Sequence, residues 1–187
     1  MNDLNPNNLY HLFLRTEFEN KLKEQNYSFD CNTDGLYVFR PEDETNRIIK
    51  AQLVFSDFMN EEKLGSRNNI ETKGIGVFRF QLPQEVMEQN YIILAFQNTN
   101  SLGAEFIIIS LEELNRRLIA RKHSLVKDRK VKMVFWLMPD NQLFETTNIS
   151  IEAEWFWLSK GVHGRMADGL TWDYSKYLND WSSLKKV

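Results

Sequence analysis

A single α/β or α+β domain, with a central mixed β-sheet flanked by helices, is the fold this sequence predicts. Three observations carry that expectation. Two nearly continuous apolar runs, YIILAFQ (Tyr91 to Gln97) and AEFIIIS (Ala104 to Ser110), are strand-length and rich in β-branched residues. That pattern belongs to strands covered on both faces. Ser110 and Glu113 then form an S-x-x-E capping box, which starts a helix directly after the second run. Near the N-terminus, Leu9, Leu12, Phe13, Phe18 and Leu22 recur with helical spacing, and Arg15, Glu19, Lys21, Lys23 and Glu24 populate the other side.

In chain order, residues 1–8 are a polar lead containing Pro6. The first helix follows, with Asn7 or Asn8 as its cap, and ends near Gln25 or Asn26. YSFDC is a lead-in to the sheet, and GLYVFR (Gly35 to Arg40) is a clearer strand. PEDETN is a turn by composition. RIIKAQLVF is the next strand, antiparallel to GLYVFR if that turn closes a hairpin. Residues 59–74 hold few apolar side chains and several turn formers, as a mobile loop does. GVFRFQL (Gly76 to Leu82) alternates as a strand, and a short helical turn is expected after Pro83. NTNSLG separates the two apolar strands. Lys130 to Met138 is a further strand, stopped by Pro139, Asp140 and Asn141. Ile149 to Leu158 fits a strand or a helix. GVHGRMADGLTWD is loop-like, and Ser175 to Lys186 reads as a closing helix.

Length and composition bound the function. A chain of 187 residues suits one domain, residues 1–187, with a full core. Its 13 Phe, 6 Tyr and 5 Trp argue against extensive disorder. A net charge of −3 argues against coating nucleic acid or anionic membrane through overall charge, yet leaves room for a local basic groove. Cys31 is the only cysteine, so no disulfide closes within the chain and a reducing compartment fits best. Neither a signal-peptide pattern nor a span-length apolar stretch is present. The expectation is a soluble cytoplasmic protein without a membrane partner. No G-x-S-x-G, G-x-x-x-x-G-K-[ST] or G-x-G-x-x-G occurs, which sets aside the hydrolase-elbow, nucleotide-triphosphatase and Rossmann classes.

The order helix, strand with an early acid, polar turn, strand with a polar centre, then FRFQLP, NYIILAF and EFIIISLEEL resembles the PD-(D/E)XK nuclease superfamily. The nearest likeness is to restriction-endonuclease-like and Holliday-junction-resolvase-like domains, over about Leu9 to Leu118. The resemblance implies a metal-dependent phosphodiesterase acting on DNA or RNA. Its helix glutamate maps to Glu17 in RTEFENKL, its aspartate to Asp34 in NTDGLYVF, and its (D/E/Q) position to Gln52 in KAQLVF. Asp34 and Gln52 would hold Mg²⁺ or Mn²⁺, hard cations suited to oxygen ligands. Such an ion polarises the scissile phosphate and helps form hydroxide.

The motif departs at Val54, where the lysine should stand. Lys50, two residues before Gln52, lies on the same strand face and is the substitute cation. Glu71-Thr72-Lys73 is a second E-x-K in loop-like surroundings. With the lysine gone, the resemblance implies a degenerate nuclease with no cofactor, binding nucleic acid or a protein partner in a defence or mobile-element setting. Arg117, Arg121, Lys122 and Lys127 fall in a basic run from Arg116 to Lys132 and are the candidate phosphate contacts. Each residue also has an ordinary reading. Asp34 sits in a T-D-G turn, Glu17 on a charged helix face, and the basic run at a helix end. A third possibility is a non-enzymatic interaction protein, assembling as a homo-oligomer through Trp155 and Trp157 in the tryptophan-rich C-terminal region.

Overall fold

A computed structural model describes residues 6–32, 35–43, 46–58, 71–82, 90–120, 130–147 and 173–185. Helix α1 (Pro6–Glu24) begins at Pro6, earlier than an asparagine cap would set it. A proline at the first helical position costs no hydrogen bond, because that N–H has no intrahelical partner. The helix stops where Asn26 adopts a positive φ of 59°, the left-handed turn that asparagine tolerates at a helix end.

Strands β1 (Tyr27–Cys31), β2 (Leu36–Pro41) and β3 (Ile49–Phe55) form an antiparallel meander. β5 (Asn90–Gln97) lies parallel to β3, and β6 (Ala104–Ser110) returns antiparallel to β5. This gives a mixed five-stranded sheet of order β1-β2-β3-β5-β6. β4 (Gly74–Gln81), β7 (Lys130–Leu137) and β8 (Leu143–Glu145) make a separate antiparallel sheet of three strands. β4 starts two residues before the expected strand, and β8 is a strand the sequence pattern did not signal.

Alternation in β5 and β6 divides the apolar core into two layers. Ile93, Ala95, Phe106 and Ile108 face α1, where they meet Leu14, Phe18 and Leu22. Ile92, Leu94, Phe96, Ile107 and Ile109 face the other way, toward Phe78, Phe80, Met133 and Phe135 of the small sheet. Helix α2 (Leu111–Ala120) covers that same side through Leu111, Leu114 and Leu118. The two apolar runs are therefore buried on both faces, as their composition predicts. The Ser110 half of the capping box forms, since the Glu113 N–H donates to Ser110 Oγ at 3.2 Å, while the Glu113 carboxylate turns to Arg116, Arg117 and Tyr177.

Ser56, fully buried, is the corner between the sheets. Its N–H donates to Ala95 O on β5, while the next N–H, of Asp57, donates to Val77 O on β4. Ser56 Oγ accepts the Val77 N–H at 3.0 Å. Ser56→Ala would orphan that buried donor, and an orphaned N–H costs about 1–3 kcal/mol. Urea denaturation of the variant should show a lower midpoint with an unchanged slope.

The expected closing helix is instead two 3₁₀ turns, Ser175–Tyr177 and Trp181–Lys185. Between them Leu178 bridges Ile107, and Asn179 adopts φ 52°. Asn179 donates its N–H to Phe106 O at 2.7 Å and accepts the Phe106 N–H on its side chain at 3.0 Å. The segment thus caps the open edge of β6, and that pairing replaces helical hydrogen bonds. Among the described residues no helix is long and apolar enough to cross a membrane.

Candidate functional site

β3 carries the residues on which a catalytic reading depends. Lys50, Gln52 and Val54 share one face of it, and burial rises along that face. Lys50 is exposed, Gln52 half-buried, and Val54 only 7 % exposed. The cause is the second sheet, whose Phe78 and Phe80 close with Val54 over the C-terminal half of β3. The position that would hold the motif lysine is therefore core.

Glu17 lies on α1, half-buried beside the packed row Leu14, Phe18 and Leu22. That helix packs on the opposite side of the sheet from Val54. Gln52 pairs in register with Ile92, which faces the Val54 side. The sheet backbone thus separates Glu17 from Gln52, and the structure does not bring them to one ion. Asp34 lies outside the described residues. Among those described, no group of three or more His, Cys, Asp or Glu side chains is gathered as a metal site would need. Lys73, from the alternative E-x-K, precedes β4 and donates from Nζ to Asn141 Oδ1 at 2.6 Å.

Arg117 differs from its expected role. It is 3 % exposed and forms a structural pin rather than a phosphate contact. Its Nε donates to Glu113 Oε1 at 2.9 Å, and Nη1 donates to the Asp173 carbonyl at 2.8 Å. The guanidinium lies 4.5 Å and 4.8 Å from the ring centres of Tyr174 and Tyr177, the geometry of cation–π contact. Glu113 also accepts from Arg116 and from the Tyr177 hydroxyl. The Arg116 hydrogen bond foremost, then those of Tyr177 and Arg117, hold its carboxyl down to about 2 against the opposing effect of burial. Arg121, Lys122 and Lys127 lie outside the described residues, as do Trp155 and Trp157. Trp181, from the same aromatic region, is core, packed against Phe18 and Phe106.

The end of the basic run, Lys130 and Lys132, lies on the small sheet beside Arg79, which sequence reasoning did not connect to it. Register sets Arg79 of β4 opposite Lys132 of β7, and Gln81 opposite Lys130. The neighbouring Phe80, Val131 and Met133 point into the core, so these four side chains point outward. All four are exposed. The alternation of FRFQ and KVKM carries half of this signal, but only the pairing of β4 with β7 brings the charges together. Comparison of the chain with protein-family models, with curated proteins and with solved structures finds no match in any of the three.

Proposed function

We propose that this chain is a nuclease-like domain that binds nucleic acid without cutting it. The observation carrying the reading is Val54, buried beneath the second sheet where a cutting enzyme of the resembled type needs a lysine. Glu17 and Gln52 face opposite sides of the sheet, so these two oxygen donors do not converge on Mg²⁺ or Mn²⁺. Binding is supported by the outward cations of β4 and β7 in a chain of net negative charge, because phosphate affinity needs only local positive charge.

The test incubates the purified chain with labelled DNA and RNA, each single- and double-stranded, with and without Mn²⁺. The expected result is a mobility shift at low salt, indifferent to Mn²⁺, with every strand intact. Metal-dependent cleavage that follows the protein through purification would overturn the non-cutting reading. Absence of any shift at about 50 mM salt, where phosphate contacts are strong, would overturn the binding reading.

A further inference from the structure

The outermost strands of the two sheets are not treated alike. Along β6, Leu178 bridges Ile107, and Asn179 exchanges hydrogen bonds with Phe106. Along β8, the Tyr174 N–H donates to Leu143 O and the Leu143 N–H donates to Ser175 Oγ. Along β4, Val77 O accepts the Asp57 N–H, and the Val77 N–H donates to Ser56 Oγ. Among the described residues β1 pairs only with β2. The Glu42 N–H donates to Asn26 O, and the Asn32 N–H donates to Leu36 O. The even-numbered residues of this stretch therefore turn their backbone groups toward β2. By alternation Phe29 and Cys31 turn theirs outward, where no described residue hydrogen-bonds them. YSFDC also holds neither proline nor lysine, two residues that commonly block pairing at an edge.

We infer that the β1 edge is a self-association surface, on which a second copy of this chain adds its own β1 antiparallel and joins the two large sheets into one. Strand addition of this kind takes its hydrogen bonds from the main chain. The inference is independent of the nucleic-acid reading above. What commits the edge to a second copy is its own pattern. A two-fold axis at Phe29 pairs the whole of β1 (Tyr27–Cys31). Phe29 then meets Phe29, Ser28 meets Asp30, and Tyr27 meets Cys31. The central pair is a hydrogen-bonded one, because the N–H and C=O of Phe29 already point outward. Its ring, half-buried on the α1 side, stands beside its twin, and such cross-strand aromatic pairs are stabilising. On the other face the Ser28 hydroxyl meets the Asp30 carboxylate, a side chain 86 % exposed in the single copy. An axis at Asp30 would set two carboxylates opposite each other, which is destabilising. An axis at Ser28 would carry Cys31 past the end of the strand to Gln25. The pattern thus favours one register.

The test is sedimentation equilibrium of wild type, Ser28→Asp and Ser28→Asp/Asp30→Ser, up to about 0.5 mM because one strand edge is smaller than a standard interface. Amide hydrogen exchange of β1 is read on the same samples. Ser28 and Asp30 are exposed, so both variants keep the fold. Wild type should show a monomer–dimer equilibrium, with the Phe29 and Cys31 amides exchanging more slowly as concentration rises. Ser28→Asp sets a carboxylate against Asp30 twice in each dimer and should weaken association roughly tenfold at low salt. The double variant removes both clashes at the net charge of wild type and should return to wild-type affinity. Register places position 28 opposite Arg40, so that variant also keeps a carboxylate near the guanidinium that Asp30 meets at 3.9 Å. A wild type that stays monomeric at the highest concentration would overturn the inference. So would a dimer that Ser28→Asp leaves unchanged, that the double variant does not restore, or whose β1 amides gain no protection.

Discussion

Val54→Lys should destabilise the protein by about 3–5 kcal/mol at neutral pH without creating cleavage. Val54 is nearly sealed between the sheets, and a lysine there must stay charged in an apolar site or surrender its proton. Neutralising a group of ordinary pKa about 10.4 at pH 7 costs about 1.4 kcal/mol per pH unit of difference. Val54→Met, which carries bulk without charge, should lose about 1–2 kcal/mol from overpacking. The sign of the pH dependence separates charge from bulk. The folded pKa of the introduced lysine lies below its unfolded value, so its penalty shrinks as pH rises toward about 10. The two variants should converge in chemical denaturation at pH 9.5 and diverge at pH 7. A Val54→Lys protein as stable as wild type at pH 7, and newly able to cut DNA with Mn²⁺, would mean this face is a catalytic one.

Glu113→Ala should cost about 3 kcal/mol. Arg117 is almost fully buried, and Glu113 is its carboxylate partner among the described residues. Removing one partner of a buried pair leaves a desolvated charge, worth about 3–5 kcal/mol in general. The Asp173 carbonyl and two tyrosine rings remain around the guanidinium, which places the expected loss at the lower end. The same contact sets an acid limit. Glu113 is held at about 2 from an ordinary 4.5, so its stabilisation is complete above about pH 4.5 and is lost as pH falls toward 2. Thermal melts of wild type and Glu113→Gln should differ most at pH 7 and draw together at pH 3. A constant difference across that range would exclude Glu113 ionisation as the cause. The loss should appear first as release of residues 173–178, because Arg117 joins that segment to α2.

Local pattern made part of this protein readable. Helical spacing located α1, although its buried row is Tyr10, Leu14, Phe18 and Leu22 and leaves Leu9 and Leu12 exposed, and unbroken apolar runs located β5 and β6, because each signal lies within one short window of chain. The helix start at Ser110, whose hydroxyl accepts the Glu113 N–H, was readable for the same reason. Arg117 shows where such reading ends. In sequence it is one cation in a basic run, and only the return of Tyr174 and Tyr177 turns it into a buried pin. The C-terminal segment is similar. Tyr177, Leu178, Trp181 and Leu184 have helical spacing, but the open edge of β6 offers Asn179 and Leu178 better hydrogen bonds than a helix would.

The sequence by itself determined the α/β class and the doubly buried strands. Only the tertiary structure decided that two sheets form, that Val54 lies between them, and that Arg79, Lys130 and Lys132 share an outward strip. The physical reason is that strand alternation fixes which residues share a face. What covers that face depends on pairings between segments far apart in the chain, and no local window contains them.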